Sequence, residues 1–559
     1  MSRFRWVACQ LDELEKCTKR RKTLDEILGH LPETLEASRI SPADVSDTVK
    51  LLLWLAFARQ PLDIDHLAII VEFNLDKKVF NSDAKLASPM DILKICSSLV
   101  TGIGDNTVQL AHASVKQYIL KKKRIIQSKI ALDPSIGDAF IGQCCLNYLL
   151  QTRELESHRN PFGLPRVIYA SEGYKQTLLM YSAKYWSQHM LAAGLDMCTI
   201  EQIKELFEVT NISFKNWVEV YNDGVLFLGT RMNNKSPLQC AAFHGLKPIV
   251  EWLLPSVMRD HEGIHSVNDS EQVENLGLDR GIRYNSMLLE YGDALHAASH
   301  IGHKEIVQLL LERGTDANSQ GSGKFDGNAL QAASNSGNKK IVQLLLERGA
   351  DVNAQGGQHG NALQAASDSG HKGIVQLLLE RGADVNAQGG KYRNALLAAS
   401  HSGHKDIVQL LLERGAVVNV QEEYYGNALQ VASNSGNKEI VQLLLERGAN
   451  VNAQGGYYGN ALEAASLHGH KSIVQLLLEK GADVNAQGEK YGNALQAASD
   501  SGHKDIVWLL LERVADVNAQ GGEYGNYLQA ASGSSHKDIV QLLLESGLIA
   551  DVNAHVEYI

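Results

Sequence analysis

Apolar and polar positions recur along the C-terminal half of the chain with a fixed period. The tetrapeptide Gly-Asn-Ala-Leu, or a close variant, begins at positions 327, 360, 393, 426, 459, 492 and 525, so each step is 33 residues. Two earlier variants begin at Lys235 and Gly292, which makes nine units between 234 and 559. A period of this length predicts one supersecondary unit per repeat, and such units bury their apolar faces by stacking on their neighbours.

The unit that begins at Gly360 shows how one period is expected to fold. Asn361 predicts an N-cap, because its side chain can accept a backbone N–H, and the Ala-rich stretch 362–369 predicts a short first helix. Gly370 predicts a left-handed helix end. Residues 372–381 predict a second helix that is apolar over a wide arc, as a helix packed on two sides requires. The Gly-rich stretch that follows predicts an extended finger between units.

The first unit carries the motif Ser236-Pro-Leu-Gln-Cys-Ala241, and later copies read Asn-Ala-Leu-Gln-Ala-Ala. These motifs and the 33-residue period resemble the ankyrin repeat, whose signature is Thr-Pro-Leu-His-x-Ala. The resemblance implies an α-solenoid with short β-hairpin fingers, in which first helices and fingers line a concave binding surface. A polar stretch at about 256–290 breaks the period and predicts a long insertion.

The N-terminal 130 residues show a different pattern. Helices are expected at about 24–38, 45–58, 63–73, 89–98 and 112–124, with a hairpin formed by 99–101 and 107–111. Helices followed by a two-stranded wing predict a winged-helix-like unit. The segments Phe4–Leu11, Leu53–Phe57 and Leu110–Tyr118 resemble the GPI inositol-deacylase winged-helix domain, which follows the NACHT domain in fungal NLR-like proteins. Tyr181–Trp186 and Phe214–Trp217 are similar to the helical connector of the same proteins.

The sequence therefore predicts a mostly α chain with three parts: a winged-helix-like domain at 1–130, a helical connector at 131–233 and nine repeats at 234–559. The resemblance implies a NACHT domain ahead of these parts, and this sequence does not contain one. A truncated gene model, a shortened gene and a stand-alone sensor arm all stay open as explanations.

Charge and cysteine usage narrow the classes of partner. The net charge is −11, and residues 234–559 hold 25 Lys and Arg against 37 Asp and Glu. This acidity disfavours nucleic acid as a partner and favours a basic protein ligand. The seven cysteines form no CxxC pair, and the longest apolar run, Leu51–Ala58, is too short to span a membrane. We expect a cytoplasmic chain without membrane segments, with the nucleus as an alternative.

Motifs for catalysis or cofactor binding are weak. Gly321-Ser-Gly-Lys324 lacks the Ser or Thr that a phosphate loop needs, since Phe325 follows it. No Gly-x-Ser-x-Gly elbow occurs. Histidines such as His371 and His404 recur at the start of the second helix, and Asn338 and Asn437 replace two of them. This exchange favours capping or inter-repeat hydrogen bonds over metal ligation. We therefore predict no enzyme activity, no metal and no cofactor.

Variation between otherwise near-identical repeats marks the candidate site. One variable position follows the Ala-Ala-Ser run of the first helix, and it is occupied by Asn335, Asp368, His401, Asn434, Leu467 and Asp500. The finger tips vary too, and they carry the tyrosines Tyr392, Tyr425, Tyr458, Tyr491 and Tyr524. Exposed tyrosines are common interface anchors. These residues are the predicted protein-binding surface, although stacking of the tyrosines between fingers explains them equally well.

The leading hypothesis is a non-enzymatic recognition arm that binds a protein ligand, as the sensor arm of a fungal NLR-like protein. One alternative is a self-assembly scaffold, because the last repeat keeps an apolar second helix where a polar cap is expected. A DNA-associated role of the winged helix is a weaker alternative, since the predicted helix 89–98 carries only Lys94 as a cation. Val514 stands where six other repeats have a glycine, and we expect strain there if the backbone stays left-handed.

Overall fold

The computed structural model describes residues 42–74, 79–80, 100–103, 107–110, 134–151, 174–208, 212–224, 236–262, 291–322 and 327–545, apart from 489, 518, 523, 524 and 526. The chain forms two compact units, Met1–Asp260 and His261–Ile559. Their division falls inside the segment predicted as an insertion, so the first repeat belongs to the first unit. The predicted helices at 24–38, 89–98 and 112–124, and Tyr524, lie outside the described residues.

The first unit begins with a small helix-and-sheet arrangement. Its elements are α1 (Pro42–Phe57), β1 (Leu62–Asp63), α2 (Ile64–Val71), β2 (Phe73–Asn74), β3 (Val79–Phe80), β4 (Val100–Ile103) and β5 (Thr107–Leu110). Strands β4 and β5 pair antiparallel with Val100 opposite Leu110, which confirms the predicted hairpin. Strand β1 adds to the other edge of β5, with Leu62 opposite Val108, and β2 pairs with β3. The sequence did not predict β1, β2 or β3, which are two residues long.

Helix α2 begins at a capping box. Asp63 is the N-cap, and its Oδ1 accepts the backbone N–H of His66 at 2.8 Å. Burial acts to raise the pKa of Asp63, but the hydrogen bonds and charge of His66 outweigh it and lower that pKa. Asp65 lies in the first turn of the helix. The acidic pair is therefore explained by the helix N-terminus, where carboxylates are electrostatically favoured.

The described part of the connector is a helical bundle with an aromatic core. Its helices are α3 (Pro134–Leu150), α4 (Tyr174–Ala193), α5 (Met197–Phe207) and α6 (Ile212–Gly224), followed by α7 (Pro237–Phe243) and α8 (Lys247–Glu262) of the first repeat. Trp186 and Trp217 are fully buried with ring centroids 5.6 Å apart. His244 of the first repeat lies 5.2 Å from the Trp217 ring and makes a 2.8 Å hydrogen bond to Ser187. The connector and the first repeat therefore share one core.

A buried polar chain ties the connector to the residues after α1. The Asp138 carboxylate receives hydrogen bonds from Arg59 Nη2 at 3.0 Å and from His189 Nδ1 at 2.6 Å. On its other side, His189 Nε2 lies 2.8 Å from the Tyr181 hydroxyl, which also accepts the backbone N–H of Arg59. Burial lowers the pKa of His189, although Asp138 acts to raise it. Because His189 and Tyr181 are almost completely buried, these hydrogen bonds position the helices and do not face a substrate in solvent.

The second unit is built from repeated helix pairs. Residues 291–301 are helical, and the following first helices are Ala329–Asn335, Ala362–Asp368, Ala395–His401, Ala428–Asn434, Ala461–Leu467, Ala494–Asp500 and Tyr527–Gly533. The second helices are Lys304–Glu312, Lys339–Glu347, Lys372–Glu380, Lys405–Glu413, Lys438–Glu446, Lys471–Glu479, Lys504–Glu512 and Lys537–Glu545. Helix α8 runs to Glu262, so it enters the stretch that the sequence predicts as an insertion.

Stacking buries the apolar face of each second helix, as predicted. In the repeat that begins at Gly360, Ile374, Val375 and Leu378 are at most 2% exposed. Asn361 caps the first helix by accepting the N–H of Gln364, and the φ angles of Gly370 and Gly382 are +80° and +88°. Fingers close as tight turns with isolated antiparallel bridges, such as Gly356 to Gly360, rather than as longer strands.

Inter-repeat hydrogen bonds explain the recurring histidines. His371, His404, His470, His503 and His536 each place Nε2 between 2.8 and 3.1 Å from a backbone carbonyl of the preceding repeat. Asn338 donates from Nδ2 to the equivalent carbonyl of His300 and to that of Ser299, and Asn437 donates to the carbonyl of Ser400, one residue earlier in the preceding repeat. Neither residue type makes a side-chain capping bond at this position in the structure. The hydrogen-bonding alternative of the sequence prediction is therefore confirmed in its inter-repeat form.

Candidate interaction surface

Four of the described fingers are fixed to the repeat before them by a glutamine side chain of the first helix. In the repeat that begins at Gly360, Gln364 donates from Nε2 to the carbonyls of Ala387 and Arg393 in the next finger, both at 3.0 Å. Its Oε1 accepts the backbone N–H of Asn361 at 3.2 Å, which completes a capping box. The same glutamine therefore caps the first helix of its own repeat and holds the finger of the next repeat in place.

Backbone hydrogen bonds also join neighbouring finger tips. The N–H of Lys391 donates to the carbonyl of Gln358 at 2.8 Å, and the N–H of Tyr457 donates to the carbonyl of Tyr424 at 2.8 Å. These pairs come from adjacent repeats and hold their tips side by side. Side chains at the tips are consequently presented in a continuous row.

Tyrosine rings at the tips contact each other from finger to finger. Tyr392 lies 5.6 Å from Tyr425, Tyr424 lies 5.7 Å from Tyr457, and Tyr457 lies 6.2 Å from Tyr491. Within a finger, the rings of Tyr424 and Tyr425 are 5.0 Å apart and nearly perpendicular, so this pair links the contact with Tyr392 to the contact with Tyr457. We call Tyr392, Tyr424, Tyr425, Tyr457, Tyr458 and Tyr491 the tyrosine row. Of the five tyrosines selected from the sequence, Tyr392 and Tyr425 contact each other between fingers, whereas the further contacts pass through Tyr424 and Tyr457. The choice between stacking and recognition therefore stays a prediction.

Stacking does not remove the tyrosine row from solvent. Tyr392 is 7% exposed, but Tyr424 at the centre of the row is 62% exposed. Two lysines lie against the row near its ends. Lys391 Nζ is 4.6 Å from the centroid of the Tyr392 ring, and Lys490 Nζ is 4.3 Å from that of Tyr457. The row therefore combines an exposed aromatic surface with two lysine ammonium groups. Such a surface can contact apolar and polar groups of a partner.

Histidine and tyrosine ionisation around the row is set mainly by burial. Burial and the charge of Lys391 lower the pKa of His401, whose ring lies 5.0 Å from that of Tyr392. Burial raises the pKa of Tyr491 to about 12. A hydrogen bond to the Tyr457 hydroxyl raises the pKa of Lys490. Tyr491 therefore stays neutral and Lys490 stays charged across the physiological pH range.

The variable residues of the first helices are half-buried, and the ring of one of them, His401, contacts Tyr392 of the tyrosine row. Several also bridge repeats. The side chains of Asn335, Asp368 and Asp500 accept hydrogen bonds from the hydroxyls of Ser369, Ser402 and Ser534 in the next repeat, at 2.8, 2.7 and 2.6 Å. His401 makes a longer contact of 3.5 Å with Ser435, and Asn434 hydrogen-bonds Tyr458. Leu467 offers no such polar group. Their role in binding stays a prediction.

Two members of the tyrosine row were missing from the predicted site. Tyr424 and Tyr457 occupy the first tip position, whereas the prediction selected the second position throughout. The signal in the sequence was the Tyr-Tyr pair at each of these two tips. Tyr524 cannot be placed, because it lies outside the described residues. The row is therefore described from Tyr392 to Tyr491.

Repeat 5, which begins at Arg393, departs from its neighbours in two linked positions. Arg393 adopts a φ of +68° where most other repeats have glycine. In the glycine repeats, a Cβ at this position would collide with the glutamine of the first helix, as Gly360 would with Gln364. Repeat 5 has Leu397 in place of that glutamine, so the collision is absent. The space that glutamine leaves thus explains how an arginine fits there, and Arg393 Nε reaches Glu422 at 3.0 Å.

Catalytic and metal chemistry have little support in the part of the chain that the structure describes. No group of three His, Cys, Asp or Glu side chains there is arranged to hold a metal ion. A cavity of about 280 Å³ in the first unit is lined by residues such as Phe73, Phe140 and Met190, with Gln143 and Asp196 as polar groups. None of the described helices is long and apolar enough to cross a membrane.

Comparisons with known proteins agree with this architecture. Residues 261–356, 294–389, 362–455, 395–488 and 461–555 match the family described as ankyrin repeats (3 copies). Residues 35–133 match the winged helix domain of GPI inositol-deacylase. The chain is 29% identical over 336 residues to azaphilone pigments biosynthesis cluster protein L from Monascus ruber, which covers 55% of this chain and 65% of that protein. The chain therefore spans less than two thirds of that relative's length.

Among solved structures, the human ASB11 ankyrin repeat domain matches with 26% identity and a TM-score of 0.35, covering 39% of this chain and 96% of that domain. The ankyrin matches together span 261–555, which is more than half of the 559 residues. With the stacked helix pairs, the left-handed glycines and the tyrosine-bearing fingers now described, the chain belongs to the ankyrin-repeat family.

Proposed function

We propose that this protein is a non-enzymatic recognition arm that binds a protein ligand through the tyrosine row and the variable residues beside it. The observation that carries the proposal is the exposure of Tyr424, which stays 62% accessible in the middle of an otherwise interlocked row. A large aromatic ring held rigidly in solvent loses little conformational entropy when a partner covers it.

Charge supports a basic partner. The repeat region carries 37 acidic and 25 basic residues, and Asp351, Asp384 and Asp483 are exposed on the fingers. Part of the acidity is neutralised on the second helices, where Lys405 pairs with Glu439 at 2.9 Å and Lys372 with Asp406 at 3.4 Å. The remaining field attracts a basic ligand, and its contribution weakens at high salt.

The order of the domains supports a place in a larger switch. A match to the winged helix domain at 35–133 precedes the connector and the repeats, as in fungal NLR-like proteins. In this proposal the repeats bind the ligand in the cytoplasm, and the connector transmits binding through the core it shares with the first repeat. In this proposal, the contact between His244 of the first repeat and Trp217 of the connector couples the two parts.

The test is a comparative capture experiment with the full chain. Tyr424→Ala removes the exposed ring without opening the core, and Trp508→Gln is the matched control, because it removes a 50% exposed aromatic from a second helix. We expect one protein ligand to be retained by the wild type and by Trp508→Gln and to be lost by Tyr424→Ala. Equal capture by all three proteins would contradict the proposal.

Self-assembly is the second candidate, because the last repeat keeps an apolar second helix. Ile539 is buried, but Val540 is partly exposed, whereas the equivalent Val507 of the preceding repeat is fully buried. Light scattering of the full chain over a dilution series separates the candidates. A mass that falls with dilution favours assembly, whereas a constant monomer mass leaves ligand recognition as the function.

A further inference from the structure

Four of the described joints between repeats use a glutamine side chain at the third position of the first helix as a hydrogen-bond donor. Gln430 of repeat 6 shows the complete arrangement, since its Nε2 donates to the carbonyls of Ala453, Gly455 and Gly459 at 3.2, 3.0 and 2.9 Å. Gln331, Gln364 and Gln496 act in the same way in repeats 3, 4 and 8. Each finger therefore presents several backbone carbonyls to one donor from the repeat before it.

Repeat 7 has Glu463 at this position. By the 33-residue period, the carbonyls that converge on it belong to Ala486, Gly488 and Gly492 of the next finger. Glu463 is 0% exposed, and neither carboxyl oxygen has a hydrogen-bond partner in standard geometry within the described residues. The carboxyl lies directly against Gly488 and Gly459, because a Cβ at either glycine would collide with Oε2.

A carboxylate anion does not fit this place. Its oxygens can only accept, and the finger carbonyls that converge on Nε2 of the equivalent glutamines are themselves acceptors. Burying an unpaired charge among carbonyl dipoles is far more costly than burying a neutral acid that donates one hydrogen bond. A proton on the carboxyl removes the conflict and restores the donor that glutamine provides elsewhere.

We propose that Glu463 carries a proton at neutral pH and donates it to a backbone carbonyl of the finger of repeat 8, which makes the joint between repeats 7 and 8 a pH-sensitive joint of the solenoid. The bond resembles the one that Gln496 makes in the following repeat. Loss of the proton leaves an acceptor facing acceptors, and the finger separates from the repeat before it.

The ionisation of this group follows from its surroundings. Burial raises the pKa of Glu463 to about 8, and the backbone N–H of Tyr491 acts to lower it. The nearby cation, Lys490, has its Nζ on the rings of Tyr457 and Tyr491. Glu489 lies outside the described residues.

Other ionisable groups on the elements around this joint are accounted for separately. Tyr458 precedes the helix that carries Glu463, and burial raises its pKa, so it stays neutral over the range considered. At the far end of that helix, His470 bonds a carbonyl of the repeat before it. Asp500, at the end of the next first helix, accepts a bond from Ser534. Substitution of Glu463 alone distinguishes its titration from all of these.

The sign of the pH effect is fixed by the raised pKa. In the opened or unfolded joint the carboxyl has its ordinary pKa of about 4.3, so it releases its proton on opening at any pH between that value and about 8. Stability of the joint is greatest below pH 4.3, falls as pH rises, and levels off above pH 8. Within that window the opening equilibrium increases up to tenfold for each pH unit, because one proton is released.

The test compares the full-length wild type with Glu463→Gln by hydrogen exchange of peptides from 486–500. The sequence of those peptides is unchanged, so their intrinsic exchange rates cancel in the ratio at each pH. We expect the ratio of wild-type to variant exchange to rise by up to tenfold per pH unit between pH 6 and 8 and to level off above pH 8. Gln430→Glu is the matched control, and it transfers the same pH dependence to the finger that contains Gly455.

Three outcomes would overturn the proposal. A ratio that is flat from pH 6 to 9 means that Glu463 does not titrate there. Absence of a protonated carboxyl band in the infrared difference spectrum between wild type and Glu463→Gln at pH 7 means that the group is ionised. A stabilisation of the wild type, but not of the variant, by added calcium or potassium means that a cation takes the place of the proton. Glu489→Gln is a further control for the neighbouring acid.

The consequence for binding rests on the proposed function, whereas the protonation does not. Finger 8 carries Tyr491 and Lys490, which form one end of the tyrosine row. Opening its joint removes that end from the recognition surface. If ligand capture proves independent of Tyr424 while the exchange ratio still follows pH, the proposed function fails and the pH-sensitive joint stands.

Discussion

Replacement of Val514 by glycine is expected to stabilise the junction of the last two repeats. Val514 has a φ of +63°, in the left-handed region, where a β-branched residue is strained by about 1–2 kcal/mol. The equivalent glycines, such as Gly448 and Gly481, have φ angles of +85° and +89°. Val514 is 81% exposed, so its side chain contributes little packing that the substitution would remove.

The net gain is smaller than the strain that is relieved. Glycine increases the conformational entropy of the unfolded chain, which opposes the gain by about 0.4–1 kcal/mol. We therefore expect Val514→Gly to stabilise the helix end by about 0.5–1 kcal/mol. Val514→Asn is expected to gain about as much, because asparagine tolerates the left-handed region and adds less unfolded-state entropy than glycine.

Native-state hydrogen exchange of the full chain measures this locally, in peptides that cover the end of repeat 8. A gain of about 0.5–1 kcal/mol slows exchange through local opening by about two- to fivefold. Gly448→Val is the matched control, since a Cβ at Gly448 meets nothing within 4 Å and only the backbone conformation is tested. It should accelerate exchange at its own helix end. If the two substitutions shift exchange in the same direction, left-handed strain is not what distinguishes these positions.

The other predictions concern single hydrogen bonds and contacts. Leu397→Gln is expected to destabilise repeat 5 by about 1–3 kcal/mol by colliding with Arg393, and adding Arg393→Gly should reverse this in a double-mutant cycle followed by urea unfolding. His404→Ala should cost about 1 kcal/mol by leaving the carbonyl of Asp368 unpaired, whereas His404→Asn should cost less, because Asn338 bonds the equivalent carbonyl of His300. Because burial lowers the pKa of His189 in the folded state, its contribution to stability should be lost as pH falls below about 6.5, and His189→Gln should reduce that loss in thermal unfolding.

The regular parts of the fold could be read from the sequence because each signal repeats. Each predicted feature of a repeat has one local physical cause, as shown by the capping Asn361, the left-handed Gly370 and the apolar arc of 372–381. The same features recur every 33 residues, so each repeat supports the prediction again. The hairpin of β4 and β5 was predictable from a local signal that does not repeat, namely a turn between two short β-rich segments. Strand β1 was not, because two residues such as Leu62 and Asp63 carry no periodicity and pair only through tertiary contact.

The candidate site was predictable only in outline. Finger tips and variable helix positions were identified from variation, but ring orientation depends on neighbouring tips that are 33 residues away in the chain. The path of the tyrosine row through Tyr424 and Tyr457, and the contact of His244 with the connector core, follow from packing that no local pattern encodes. The coupling of Arg393 with Leu397 is visible only once the position of the missing glutamine is known.

The double role of the variable residues changes how binding should be tested. Asp368 and Asp500 accept hydrogen bonds from the next repeat, so their replacement by alanine removes a joint as well as a surface group. A loss of binding in such variants would therefore not distinguish recognition from loosening of the stack. Asp368→Asn keeps the acceptor and removes the charge, and we expect it to leave stability unchanged while weakening capture of a basic ligand at low salt. Unchanged capture across the salt range would show that this charge takes no part in recognition, and the exposed ring of Tyr424 would then be the stronger anchor.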